Sequence, residues 1–119
     1  MTISAQLRQQ VIIAADYRCE YCKSSSRLTG TLLVMEHILP RSLSGTDDPE
    51  NLAVSCYRCN EFKGAKIHTT DPDTNQLVEL FNPRMQTWTK HFMWKNNGTL
   101  IAGLTNIGRA TVIALRLNN

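Results

Sequence analysis

The sequence predicts a small α+β fold on three observations. Apolar residues recur at helical spacing near both ends, a short β-branched run lies in the middle, and two spaced cysteine pairs bracket that run. At 119 residues, 42% hydrophobic and 19% charged, the chain reads as a single domain, 1–119, of ordinary globular composition. A chain this short buries a modest core, so a metal staple would help it hold together.

The elements follow in order. Thr2–Asp16 reads as a helix with Ser4 at its N-cap and Leu7, Val11, Ile12 and Ala15 on one face. Leu32–Leu39, ended by Pro40, has the length and Val/Ile content of a strand. Ser42–Glu50 is rich in Ser, Gly, Asp and Pro and reads as a loop. Asn51–Ser55 is a short strand or one helical turn, and Cys56–Lys66 can begin a helix. His68–Thr74 reads as a polar turn, and Leu77–Phe81 as a strand. The stretch through Trp88, Phe92 and Trp94 alternates polar and apolar, Asn96-Asn97-Gly98 is a hairpin turn signal, and Leu100–Leu104 is the return strand. Arg109–Leu117 is the closing helix. Residues 77–119 thus form a C-terminal hairpin-plus-helix extension to a core at about 17–68.

Cys19-Glu-Tyr-Cys22 and Cys56-Tyr-Arg-Cys59 are two C-x2-C pairs. Two residues between thiolates let a tight knuckle aim both sulfurs at one ion, and two knuckles complete the tetrahedral sulfur set of structural zinc. A closed four-sulfur site leaves no position for a reacting water, so this zinc would fold the protein and take no part in chemistry. The alternatives are redox dithiols or buried free thiols. No secretory signal opens the chain and no apolar run approaches a membrane span, so the expected compartment is the cytoplasm, where paired cysteines read as metal ligands. The formal charge of +3 permits a polyanionic partner without requiring one.

Between the pairs lie Glu36-His37-Ile38-Leu39-Pro40-Arg41-Ser42 and Asn51-Leu52, and the second pair runs on as Cys56-Tyr-Arg-Cys59-Asn60-Glu-Phe-Lys63-Gly64. This order and spacing resembles the HNH endonuclease family in its four-cysteine, zinc-binding form. The resemblance implies a ββα-metal core in which two strands and a helix grip one divalent cation. It implies Glu36 and Asn60 as ligands of a catalytic Mg2+ or Mn2+, and His37 as general base. It further implies Asn51 as the residue holding the His37 imidazole through a backbone contact, and Lys63 and Arg41 as contacts to DNA phosphates. Asn60 stands where the family's third letter is His, and an amide is the weaker ligand.

The chemistry is coherent on its own terms. An unperturbed imidazole can accept a proton at neutral pH. An oxygen-ligated Mg2+ supplies charge to a phosphoryl group and keeps most of its coordination for water and phosphate. One constraint stands against it: neighbours on a regular strand point to opposite faces, so Glu36 and His37 converge only where the backbone leaves regular strand geometry.

The expected partner is DNA, double-stranded by family resemblance. The rival readings are a non-catalytic, zinc-finger-like DNA-binding module and a zinc-stapled protein-interaction domain. His68 reads as a surface loop residue and His91 as strand packing. Trp88 and Trp94 read as hairpin packing, and Arg84, Lys90, Lys95 and Arg109 as scattered surface charge.

Overall fold

A computed structural model describes residues 3–118. Helix α1, Ala5–Ala14, begins where expected: Ser4 Oγ accepts the Leu7 N–H at 3.1 Å, satisfying one of the orphan donors of the first turn. A single helical turn, α2 (Ser26–Thr29), closes the segment after the first cysteine pair. Strand β1, Leu33–His37, then pairs antiparallel with β2, Leu52–Cys56, placing Leu33 opposite Cys56 and His37 opposite Leu52. The connection carries two 3-10 turns, Arg41–Leu43 and Pro49–Asn51. Helix α3, Tyr57–Lys63, follows β2 directly, completing two strands and a helix.

The alternation of this ribbon decides where everything sits. Leu33, Met35, Leu52 and Val54 share one face, and α1 covers it through Val11, Leu7 and Ile12. Val34, Glu36, Ala53 and Ser55 share the other. All five residues of β2 are buried, so β2 is covered on both faces while β1 is the partly open edge.

The remaining chain builds two further antiparallel ribbons. Strands β3 (His68–Thr70) and β4 (Leu77–Glu79) pair with His68 opposite Glu79. After one turn of helix, α4 (Trp88–His91), strands β5 (Phe92–Lys95) and β6 (Leu100–Gly103) form the hairpin, and α5 (Asn106–Ala114) closes the chain. Three elements depart from the sequence reading. His68–Thr70 is strand where a turn is expected, because Asp71 and Thr74 supply the turn one step later: Asp71 accepts from Asp73 N and Thr74 Oγ1. The stretch at Trp88 starts as helix and becomes strand only at Phe92. The closing helix starts at Asn106, not Arg109, because Thr105 caps it by accepting from Gly108 N at 3.0 Å. Gly108 is required there: a Cβ would stand 2.0 Å from the His91 carbonyl oxygen.

The main core joins the cysteines to the C-terminal segment. Cys19, Tyr21, Cys56 and Cys59 cluster with Leu80, Phe81, Phe92, Ile101, Leu115 and Leu117. Phe81 packs edge-on to both Tyr21 and Phe92. Trp88 stacks at a tilt on Phe92 and Trp94, and its Nε1 donates to the Tyr21 carbonyl at 2.9 Å. Residues 80–117 therefore sheathe the first cysteine knuckle.

Candidate functional site

The four cysteines converge from two tight turns. Each pair forms the same knuckle: Cys22 N–H points at Cys19 Sγ (3.5 Å) and Cys59 N–H at Cys56 Sγ (3.4 Å). All four sulfurs lie within 4.8 Å of one another, and Cys22 Sγ is 3.8 Å from Cys56 Sγ. Four sulfurs at about 2.3 Å from a tetrahedral centre would stand about 3.8 Å apart, so the donor set fits zinc in chemistry and in spacing. The thiols compete for protons: hydrogen bonding to Cys22 pushes Cys19 up, while hydrogen bonding to Cys19 pulls Cys22 down. Crowded sulfurs of this kind ionise together only around a cation. Among the described residues no other group of three or more His, Cys, Asp and Glu gathers to hold a metal.

The regular geometry of β1 runs unbroken to its last residue, and so Glu36 and His37 point to opposite faces. His37 lies on the α1 side but past the helix, where the loop 38–51 receives it. Its Nε2 is 2.7 Å from Asp47 Oδ1. The same oxygen accepts from Arg41 Nη2 (2.9 Å) and Nε (3.2 Å). Asp47 is held below the usual carboxylate range, first by His37 and then by Arg41. Nδ1 has no hydrogen-bond partner among the described residues and is not sealed from solvent.

Asn51 does not do what the resemblance implies. Its carbonyl accepts from Ile38 N at 2.9 Å, as the ladder continues one step past β1, and is not bonded to the imidazole. Its side chain instead pins the loop: Oδ1 accepts from Leu39 N (2.8 Å), and Nδ2 donates to Leu39 O (3.0 Å) and Thr46 O (2.8 Å). Asn51 thereby fixes both strands of the loop that carries Asp47. Gly45 lets that loop close, since a Cβ there would fall 1.7 Å from Leu39 O.

Glu36 faces the interior, only 3% exposed. Its Oε2 accepts from Tyr21 Oη at 2.6 Å, and its Oε1 lies 2.5 Å from Lys63 Nζ. That contact is an ion pair without the alignment of a hydrogen bond. Burial pushes the Glu36 carboxyl up, and Lys63 and Tyr21 work against the shift. Lys63 is a correction to the expected surface phosphate contact. It is 1% exposed, and its ammonium also approaches the carbonyls of His37 (3.5 Å) and Ile38 (3.3 Å). The cause is the register of α3: it lies against β1 and β2, and its last residue ends over the buried face. Asn60 sits half-buried one turn earlier on α3, and Arg41 is half-exposed beside Asp47. A cleft of about 200 Å³ opens next to Ile38, Leu39 and Lys63, with His68, Glu79 and Asn82 on its far side.

For a divalent cation, the donor chemistry fits: a buried carboxylate oxygen without a hydrogen bond, and an amide on the adjoining helix. The position is held by the Lys63 ammonium, so the ion and Lys63 cannot occupy it together.

Residues 19–66 match the family model for the HNH endonuclease. Over 58 residues the chain is 40% identical to the CRISPR-associated endonuclease Cas9 of Corynebacterium diphtheriae; that stretch is 48% of this chain and 5% of the relative. No solved structure matches the chain. The segment 19–66 is thus similar to the HNH endonuclease, and the α+β framework brings the four cysteines together beside two strands and a helix.

Sequence reasoning missed Asp47, Tyr21 and Glu20, whose buried carboxylate accepts from Val54 N at 2.8 Å. Tyr21 and Glu20 are the two residues inside the first knuckle, and their buried roles carry no periodic signal. Asp47 falls in a loop of Ser, Gly, Thr and Asp, where one acidic residue among several has no mark of its own.

Proposed function

We propose that this chain is a metal-dependent endonuclease that hydrolyses DNA phosphodiester bonds, with His37 as general base. The observation that carries the reading is the His37 ring: Nε2 is bonded, Nδ1 is open, and both lie inside the segment that matches the HNH endonuclease. His37 takes a proton from water, whose oxygen attacks phosphorus in line. The bond from phosphorus to the 3′-oxygen breaks, and that oxygen takes a proton from a second water, leaving 5′-phosphate and 3′-hydroxyl ends. Glu36 and Asn60 would hold a divalent cation, Mg2+ or Mn2+, which would supply positive charge to the phosphoryl and leaving oxygens, and the end of β1 must turn so that Glu36 and His37 face one phosphate. Tyr21 and Lys63 oppose the upward shift that burial imposes on the Glu36 carboxyl, and Lys63 must leave Oε1 for that ion to bind. In this reading Arg41, half-exposed and paired with Asp47, also contacts a phosphate of double-stranded DNA. Zinc on the four cysteines is structural.

A second reading, a DNA-binding module without catalysis, is favoured by one observation: Glu36 is already neutralised by Lys63 in the interior. A plasmid-relaxation assay with Mg2+ or Mn2+, an EDTA control and His37→Ala separates the two. The first reading expects EDTA-sensitive cutting that His37→Ala lowers by about 10²- to 10⁴-fold. Equal cutting by folded, zinc-loaded His37→Ala would overturn it. Salt-sensitive binding without cutting by either protein would leave the second reading.

A further inference from the structure

We propose that Asp47 is the positioning residue of His37, fixing the imidazole as its Nε2–H tautomer and so making Nδ1 the nitrogen that takes the proton. The tautomer stands on geometry alone; the catalytic consequence rests on the nuclease reading above.

A neutral imidazole carries one proton, and the hydrogen bond made by one nitrogen decides what the other can do. An ionised carboxylate can only accept. With Asp47 Oδ1 2.7 Å from Nε2, the ring must donate there, and Nδ1 is left with its lone pair free. Nδ1 is also the nitrogen that meets solvent and has no partner among the described residues. The bonded nitrogen and the working nitrogen are thus assigned by the same contact.

The carboxylate is itself held. Arg41 sends two N–H groups to the same Oδ1, and those donors keep Asp47 ionised and stop it from turning away. The backbone on which Asp47 rides is fixed one residue earlier, where Thr46 O accepts from Asn51 Nδ2. Asn51 also grips Leu39, two residues beyond His37. One side chain therefore ties the acceptor's loop to the base's strand, and the tight approach of Gly45 to Leu39 closes the ring. A side chain that only filled the loop would need none of this convergence.

The test is the nitrogen NMR spectrum of the His37 ring in the zinc-loaded full chain, recorded along a pH series and read in its neutral form. The wild type is expected to show a pyrrole-type Nε2 and a pyridine-type Nδ1; the opposite pattern overturns the proposal, and no variant is needed to see it. Asp47→Ala is expected to mix the tautomers and to lower kcat by about 10- to 100-fold with KM nearly unchanged, the scale of losing a group that orients a working histidine. A folded Asp47→Ala that keeps both the wild-type spectrum and the wild-type kcat also overturns it. If the wild type cuts no DNA, the nuclease reading falls, and the wild-type spectrum still decides the assignment of Asp47.

Discussion

Glu36 Oε1 and Lys63 Nζ lie 2.5 Å apart with both side chains 2% exposed, and Tyr21 completes the cluster from the first cysteine knuckle. The pair links β1 to the end of α3 through the interior. Two buried charges cost desolvation on entry, so their value shows when one is removed alone. Lys63→Met leaves a buried carboxylate unpaired and is expected to lower unfolding free energy by about 3–5 kcal/mol. Glu36→Gln combined with Lys63→Met should recover most of that loss. Urea titration of the single and double variants measures both; equal losses in the two would show that the lysine acts by packing alone.

Removing zinc should unfold the chain. Structural zinc in small domains contributes apparent free energies of about 10–16 kcal/mol, against total stabilities of about 5–15 kcal/mol. Three of the four cysteines sit inside the main core with Phe81 and Phe92. A strong chelator, or Cys59→Ser, is expected to abolish the cooperative thermal transition, and metal analysis should find one zinc per chain. An unchanged transition in the metal-free protein would contradict the staple.

Acid should loosen the C-terminal half first. Asp71 is buried, receives Arg109 through Nε (3.0 Å) and Nη2 (2.9 Å), and is held well below the usual carboxylate range, chiefly by that arginine. A carboxyl whose folded pKa lies below its unfolded value adds stability that is complete above the unfolded pKa and fades as pH falls through the folded one. The thermal midpoint should therefore drop below about pH 4. Arg109→Ala should lower the midpoint at neutral pH and flatten that acid dependence. Midpoints followed across the acid range in both proteins check the sign.

Asn51→Ala removes three hydrogen bonds to Leu39 and Thr46. At about 0.5–1.5 kcal/mol each, the expected loss is about 1–3 kcal/mol, because some groups regain water. Cleavage should fall further than stability, since the freed loop carries Asp47. Faster amide hydrogen exchange confined to 39–50 would locate the effect. Exchange unchanged there would count against the clamp.

Binding to DNA should weaken as salt rises, with a slope of about 0.9 in log–log form for each phosphate neutralised on duplex DNA. Arg41→Ala is expected to reduce that slope by about one phosphate, and Lys63→Met, whose charge is buried, to leave it unchanged. Titrations with the His37→Ala background avoid interference from cutting. A slope sensitive to Lys63 and indifferent to Arg41 would reverse the two roles.

The sequence carried the framework well where a local rule acts. Ser4 capped its helix, the β-branched run became β1, and the cysteine spacing converged as the knuckle geometry requires. It carried less where tertiary placement decides. Whether Lys63 points out or in depends on how α3 lies across the ribbon, which no spacing within 57–63 reveals. The alternation rule set the condition for Glu36 and His37 to converge, a departure from regular strand, and β1 instead stays regular through both. Asp47 reaches His37 only because Asn51 and Gly45 fold its loop back, a relation among four separated positions.

The sheathing of the first knuckle by residues 80–117 bears on how such a segment could be borrowed. Arg84 reaches both Glu20 and the Leu52 carbonyl, and Trp88 reaches the Tyr21 carbonyl, so the inner surface of the knuckle is finished by residues outside 19–66. Excised at those limits, the segment would present Tyr21 and the cysteine edge bare to water. A host chain that adopts it must bring its own apolar cover, and grafts that keep 80–117 in place should be the ones that survive transplantation.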